Sequence, residues 1–320
     1  MRVAWPNECV VVPMLATCAG CHRVIFAGYV TALGQTWHPE HFTCRARGQV
    51  IDSGSFVAHD QAAYHERCYR DHVLPKCRIC AAPITGAYVA DSWSNVYCAR
   101  HAQEHPSCEY CRRLVCQALT NGGLRYPDGR VVCNWCVHDG VFTDERAEPL
   151  ALAIAAWMRS EGLVADRVTL QVQLLDVPSM AKEQAGYGTG AALGLAVKKW
   201  QTVGGQEVGR RVTGIRVLWG LPRDLFEGVM AHEITHAWLF VNHVDNLPDW
   251  QEEGFCNLVM DRLYATRNTP EARYHRSCLE RDPDPVYGVG FRRVRGLLSS
   301  MTFQGLVSWI VTNRRLPPIP

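Results

Sequence analysis

Across residues 148–320 the apolar positions keep helical and strand periods in turn, and their coarse order predicts helix, strand, helix, strand and then helices. Leu150–Arg159 reads as an apolar helix, and Val168–Leu174 alternates as a strand. Ala185–Gly194, rich in Gly and Ala, reads as a loop or turn region. Val212–Leu218 is β-prone and runs straight into a helix whose first turn suits Pro222. In that helix Leu225, Val229, His232, His236 and Leu239 or Phe240 recur at helical spacing, Asp224 and Glu227 sit near the positive end of the dipole, and Asn242 is the stop. Pro248–Thr266 reads as a second helix. Asp282-Pro283-Asp284-Pro285 marks a turn before Tyr287–Ser300, and a last helix follows at Phe303–Thr312.

Before residue 140 this patterning gives way to cysteines. The chain has 15, concentrated early and in close pairs. Cys18/Cys21, Cys77/Cys80, Cys108/Cys111 and Cys133/Cys136 each have the two-residue spacing of a zinc knuckle. A disulfide framework would predict a secretion signal. Met1–Cys18, with a single Arg2 and with Pro6, Asn7 and Glu8 interrupting its apolar run, does not supply one. Zinc in a reducing compartment, the cytoplasm, is the expectation.

Cys18-x2-Cys21 is followed after sixteen residues by His38-x2-His41, then by Cys44 and by His65-x2-Cys68. This resembles a LIM domain: two zinc sites in tandem, joined by a two-residue spacer. Trp37-His38-Pro39-Glu40 and Tyr64-His65-Glu66-Arg67-Cys68-Tyr69 extend the likeness. His41 stands where a LIM domain usually has Cys, an exchange that zinc accepts. Arg47 stands where the sixth ligand belongs, and a guanidinium cannot coordinate a cation. That degenerate site keeps Cys44, His65 and Cys68, to be left empty or completed by a side chain such as Asp52 or His59. A second tandem follows. Cys77 and Cys80 pair with Cys98 and His101 across seventeen residues, and Cys108 and Cys111 with Cys133 and Cys136 across twenty-one. Its hinge, Ala102 to Ser107, is stretched to six residues, so the module is LIM-like. Asn121-Gly122-Gly123 and Pro127-Asp128-Gly129 supply turns for short hairpins. Metal rather than a core holds such modules together. Cys9, Cys116, Cys256 and Cys278 have no obvious partner, and the last two read as buried small hydrophobes.

The helix after Pro222 carries chemistry. In His232-Glu233-Ile234-Thr235-His236 the two imidazoles lie four positions apart on one face, where they can share a metal ion. Glu233 projects beside them, close enough to deprotonate a zinc-activated water. A catalytic zinc takes three protein ligands and keeps one position open. The third ligand is a carboxylate of the next helix, with Glu252 and Glu253 as adjacent candidates. A three-histidine site would need a glycine and a histidine where this chain has Leu239 and Asn242, and His243 is one position out of register.

Size and charge bound the rest. A chain of 320 residues allows about two or three domains. The expected organisation is an N-terminal tail (1–16), a LIM domain (17–72), a LIM-like double zinc module (76–139) and a metallopeptidase domain (148–320). Formal net charge is +2 with no Lys/Arg run, which argues against a nucleic-acid partner. No apolar stretch reaches bilayer-spanning length, so no membrane partner is expected. About ten residues, Gly140–Pro149, join the zinc-rich part to the rest, so the LIM modules are expected to gate or steer substrate entry.

Trp250-Gln251-Glu252-Glu253-Gly254-Phe255 resembles the Trp-Leu-Asn-Glu-Gly-Phe segment of gluzincin aminopeptidases. The likeness implies Glu253, directly before Gly, as the zinc ligand. It places Asn257 where gluzincins often carry an Asp that orients a ligand histidine, and an amide can still accept that N–H. It implies Tyr287 as the oxyanion donor. It also implies that the strand before the histidine helix, at Gly214, Ile215 and Arg216, binds the substrate backbone by strand addition.

Over residues 17–317 the chain resembles the DA-one family of LIM peptidases, ubiquitin-activated regulators of organ growth in plants with related bacterial proteins. The resemblance rests on the LIM and LIM-like tandem, Asp128-Gly129-Arg130, Trp219-Gly220-Leu221-Pro222, and Ala231-His232-Glu233 through His236-Ala237-Trp238. Glu252-Glu253-Gly254 and Tyr287-Gly288-Val289-Gly290-Phe291-Arg292 complete it. It implies zinc-stapled hairpin modules followed by an α+β gluzincin-type domain, with one catalytic and three or four structural zinc ions. It implies cleavage of protein substrates through His232, Glu233, His236 and Glu253. A protein partner would be recruited at the LIM modules, with ubiquitin or a ubiquitylated protein as candidates. The ubiquitin-interacting helices of the plant members have no counterpart before Cys18, so direct activation by that route is not expected. The rival expectation is a LIM-type interaction scaffold with an inactive peptidase domain.

Overall fold

The computed structural model describes residues 16–52, 54–166, 168, 170–184 and 192–319. Cys9, nearly all of the expected 1–16 tail and residues 185–191 of the expected loop lie outside them. Two compact units divide the chain: Met1–Ala90 with Ser94–His101, and Asp91–Trp93 with Ala102–Pro320. The division falls inside the expected 76–139 module, between its two zinc clusters.

The first unit is made of short antiparallel hairpins. β1 (Val30–Ala32) pairs with β2 (Gln35–Trp37), β3 (Val57–His59) with β4 (Ala62–Tyr64), and β5 (Tyr88–Ala90) with β6 (Val96–Cys98). Helix α1 (Glu66–His72) follows the second hairpin. One small cluster of buried residues, Ala32, Phe42, Cys44, Ile51, Ala63 and Cys68, includes two cysteines of a ligand set. So little apolar burial leaves metal as the main fastening.

The second unit begins, after α2 (His101–Glu104), with the last cysteine module. It contains α3 (Gln117–Thr120), the hairpin β7 (Gly123–Arg125) and β8 (Val131–Cys133), and α4 (Asn134–His138). The expected linker 140–149 is not a linker. It forms β9 (Gly140–Val141), which is buried, and the start of α5 (Asp144–Ser160). Then come β10 (Val172–Leu175), α6 (Val177–Gln184), β11 (Gly194–Val203), β12 (Gln206–Leu218) and β13 (Leu221–Pro222). Five helices close the chain: α7 (Arg223–Val241), α8 (Asp249–Thr266), α9 (Pro270–Arg281), α10 (Gly288–Gly296) and α11 (Phe303–Asn313).

Three strands form the main sheet in the order β10-β12-β11, with β10 parallel and β11 antiparallel to β12. Helix α7 is buried on nearly all sides, through Leu225, Phe226, Val229, Met230, Ile234 and Trp238. A helix apolar all round belongs in the centre of a core. Pro222 and Asn242 cap it, at the ends expected from sequence. Helices α8 and α10 cross closely, and glycine permits this. A Cβ on Gly254 would lie 2.6 Å from the Gly290 carbonyl, and one on Gly290 2.3 Å from the Trp250 oxygen. Contacts that short are forbidden to any side chain, so Glu-Glu-Gly and Gly-Val-Gly are packing motifs as well as site motifs.

The last cysteine module is welded to the entry of α7. Arg130 Nε donates to both Asp128 oxygens at 3.0 and 3.1 Å. The guanidinium also donates to the Tyr110 hydroxyl, and to the Trp219 carbonyl at 2.9 Å. Tyr126 donates to the Gly220 carbonyl at 3.2 Å, and the Trp219 indole N–H to the Phe142 carbonyl at 3.1 Å. The rings of Tyr126, Phe142 and Trp219 meet edge to face. β9 pairs with β13, and the Arg223 N–H reaches the Asp139 carbonyl at 3.0 Å. Removing one partner of so buried an ion pair leaves the other stranded, a loss on the order of 3–5 kcal/mol.

A fragment beginning at residue 140 should therefore fail to fold, while one beginning at Ala102 should fold. Circular dichroism melts of the two fragments check this. A cooperative transition in the shorter one would show the module to be dispensable.

Candidate metal centres

Four Cys/His clusters have the geometry of structural zinc sites or part of one. Cys18, Cys21, His38 and His41 converge, as do Cys77, Cys80, Cys98 and His101, and Cys108, Cys111, Cys133 and Cys136. Zn–S bonds of about 2.3 Å and Zn–N bonds of about 2.0 Å set tetrahedral edges of about 3.5 Å (N–S), 3.8 Å (S–S) and 3.3 Å (N–N). Cys18 Sγ lies 3.5 Å from His41 Nδ1, Cys21 Sγ 3.4 Å from His38 Nδ1, and the two imidazole nitrogens 3.2 Å apart. Cys77 Sγ to His101 Nδ1 is 3.3 Å, and Cys111 Sγ to Cys133 Sγ 3.6 Å. The edges fit zinc. Cys44, His65 and Cys68 form a fourth, three-membered group, with Cys68 Sγ 3.9 Å from His65 Nδ1. Neither rescue considered from sequence joins it. Asp52 is exposed, and His59 pairs with Asp60 at 3.4 Å and packs on the Tyr69 ring.

A further donor set lies between α7 and α8. His232 Nε2 and His236 Nε2 are 3.1 Å apart. Glu253 brings Oε2 to 3.1 Å from the first and Oε1 to 3.5 Å from the second. The other ring nitrogens are taken. His232 Nδ1 donates to Asn257 Oδ1 at 3.0 Å, and Asn257 is oriented by donating Nδ2 to the Tyr287 carbonyl at 3.1 Å. His236 Nδ1 donates to Glu252 Oε1 at 2.8 Å, and Lys198 reaches the same oxygen at 3.5 Å. Both Nε2 lone pairs thus face one point, along with a carboxylate. Glu253 Oε2 is buried and accepts no hydrogen bond. Such an orphaned anion beside two imidazole lone pairs is costly unless a cation lies among them. The residues fit zinc.

Electrostatics separate the two glutamates. Burial raises the Glu252 carboxyl, but His236 and Lys198 bring it below its ordinary value. Burial also raises Glu253, and the two imidazoles drive it further down. Both are anions, but only Glu253 faces both Nε2 atoms. Cys256, expected from sequence as a buried small hydrophobe, is buried and also neighbours the set. Cys256 Sγ lies within 4.8 Å of the nearest ring nitrogens of both histidines. Burial pushes its thiol up to about 12, and the side chain is wholly enclosed in the core. Its position three residues after Glu253 puts it on the same helix face.

The donor set lines a cleft of about 710 Å³ that Gly194, Leu195, Lys198, Glu233 and Tyr287 also border. Glu233 is 8% exposed. Strand β11 passes directly over it: a Cβ on Gly194 would lie 2.6 Å from Glu233 Cγ and 2.9 Å from its Oε1. One expectation is corrected here. Gly214, Ile215 and Arg216 sit on the central strand β12, paired with Val172 and Gln173 of β10 on one side and with Val197, Ala196 and Leu195 of β11 on the other. Their backbone cannot accept another strand. Among the described residues, the sheet edge beside the cleft that pairs with no other strand is that of β11.

A DA1-like family model matches residues 176–273, which hold β11, α7 and the Glu253 helix, and a LIM family model matches residues 18–73. The chain is a DA1-like LIM protein. Protein DA1 of Arabidopsis thaliana is 29% identical to it, over 94% of this chain and 68% of the relative. Protein DA1-related 1 of the same plant is 30% identical, over 76% of this chain but 50% of the relative. The chain thus spans between half and about two thirds of these DA1 relatives. Paxillin homolog 1 of Caenorhabditis elegans is 32% identical over 38% of this chain. LIM domains mediate protein–protein interaction, which gives this DA1-like chain an interaction module. Among the described residues no helix is long and apolar enough to cross a membrane.

Full-length variants discriminate the third ligand. Glu253→Ala should lose one zinc equivalent by elemental analysis, while Cys256→Ala should keep all of them. Glu252→Ala should also keep the metal, with affinity lowered about 10- to 100-fold through loss of the His236 partner. Metal loss in Glu252→Ala or Cys256→Ala but not in Glu253→Ala would reassign the ligand.

Proposed function

We propose that the chain is a gluzincin-type zinc peptidase acting on protein substrates. The observation that carries this reading is the convergence of His232, His236 and Glu253 in a cleft that Glu233 also lines. Zinc bound there supplies positive charge that polarises the scissile carbonyl and acidifies the attacking water. Glu233 takes the water's proton and passes it to the leaving amine nitrogen. Its carboxylate is confined by the overlying strand, so it meets the water in one orientation. Tyr287, 47% exposed at the cleft, is the candidate donor to the oxyanion. The free edge of β11 receives the substrate backbone by strand addition, running past Gly194 and so past Glu233.

The family resemblance supports the same activity. The LIM modules recruit or gate substrate, with ubiquitin or a ubiquitylated protein as the candidate partner. Clustered zinc thiolates suit a reducing setting such as the cytoplasm. The rival reading is an interaction scaffold with an inactive peptidase domain. The presence of Glu233 beside a complete donor set favours the enzyme.

Glu233→Gln should retain its zinc and its melting temperature while cleavage of a denatured protein falls by about 10²–10⁴. A chelator should abolish the wild-type rate. Wild-type cleavage that survives the chelator, or an unimpaired Gln variant, would leave only the scaffold reading. Gly194→Ala should push the Glu233 carboxylate aside, lowering kcat on the order of 10- to 100-fold with zinc content unchanged. An Ala variant with full kcat would remove the positioning role of β11.

A further inference from the structure

The turn at Cys44 is built like the chain's Cys-x2-Cys knuckles, yet it lacks the second thiol. In the knuckles at Cys18, Cys77 and Cys108 the first cysteine's N–H bonds the carbonyl five residues on, at 2.9, 2.9 and 2.8 Å. Its carbonyl accepts from the N–H four residues on, at 2.8, 2.8 and 3.1 Å. The residue after the second cysteine is left-handed: His22 at φ 60°, Ala81 at 59° and Arg112 at 60°. The turn from Cys44 repeats each feature. Cys44 N–H reaches Gln49 at 2.8 Å, its carbonyl accepts from Gly48 at 2.7 Å, and Gly48 has φ 67°. Backbone N–H groups of Ala46 and Arg47 point at Cys44 Sγ, as those of Gly20 and Ile79 point at Cys18 and Cys77. Arg47 therefore starts where Cys21, Cys80 and Cys111 place their ligand sulfurs. Its side chain is exposed, so the direction a fourth ligand would take opens to solvent.

We propose that Cys44, His65 and Cys68 hold zinc with three protein ligands, and that an anionic donor from outside the chain, a thiolate or carboxylate, fills the fourth position beside Arg47. Three protein ligands suffice for zinc when the fourth comes from elsewhere. Two thiolates and a neutral imidazole leave the ion with no net charge, so nothing in the set repels an incoming anion. A guanidinium at the rim attracts one and can hydrogen-bond it. A thiol entering there releases its proton to solvent as its sulfur bonds the metal. The site is thus an open coordination position in an otherwise structural module.

The test uses full-length protein carrying His232→Ala and His236→Ala, which removes the other open metal position. Cobalt replaces zinc, and bound metal and visible spectra are followed during separate titrations with 2-mercaptoethanol and with acetate. We expect four cobalt equivalents, one of which gains sulfur-to-cobalt charge-transfer absorption with the thiol or a shifted ligand-field band with acetate. Arg47→Cys on the same background should keep four equivalents and lose both responses. Three equivalents in the Arg47 protein would overturn the proposal by showing the position to be metal-free. Four equivalents without response to either probe would overturn it by showing that the chain completes the site itself.

Discussion

The grip of Arg130 on the Trp219 carbonyl is the constraint on which the second unit depends. Arg130 belongs to the last cysteine module, held at one end by Asp128 and Tyr110. Trp219 belongs to the turn that delivers the chain into α7. A metal-stapled hairpin thereby fixes where the histidine helix begins, and everything at the cleft is measured from that helix. One core contains Cys108, Cys111, Cys133 and Cys136 together with Phe226, Ile234 and Trp238. The module looks like an accessory in the sequence, but it is part of the scaffold.

Much of this was legible in the sequence, for physical reasons. Both ends of α7 were marked by Pro222 and Asn242, and the two histidines by helical spacing, while Glu253 was separated from Glu252 only by the resemblance of its segment to gluzincins. The knuckles were marked by cysteine spacing alone. Other parts were hidden because their cause is tertiary. The sheet order cannot be read from Val212–Leu218, since an apolar strand looks the same whether it lies at an edge or in the middle. Placing β12 in the centre is what moves the free edge from Gly214–Arg216 to β11. Helix α9 was missed although Thr269 caps it by accepting from the Ala272 N–H and Pro270 occupies its first turn. Its low apolar content hid a start signal that was present. The joining segment looked like a linker because it is short. Only the pairing of Gly140 and Val141 with Leu221 and Pro222 shows why it is fixed.

The two histidines are held by unlike partners, and the difference leads back to β11. Asn257 gives His232 a neutral acceptor, fixed in place because its own amide N–H is committed to the Tyr287 carbonyl. Glu252 gives His236 a charged one, which strengthens that imidazole as a donor. A second carboxylate so near Glu253 would repel it, and Lys198 offsets that charge from the strand side. With a divalent ion in place and Glu233 ionised, the charges of Glu233, Glu252, Glu253, Lys198 and the metal cancel. Strand β11 thus contributes at two places: the bare backbone of Gly194 confines Glu233, and four residues on Lys198 balances the pair behind His236. In the proposed reaction the substrate would bind along that same edge. A displacement of the strand would then disturb the base, the ligand's partner and the docking edge together, so the geometry makes substrate seating and site assembly parts of one structural element.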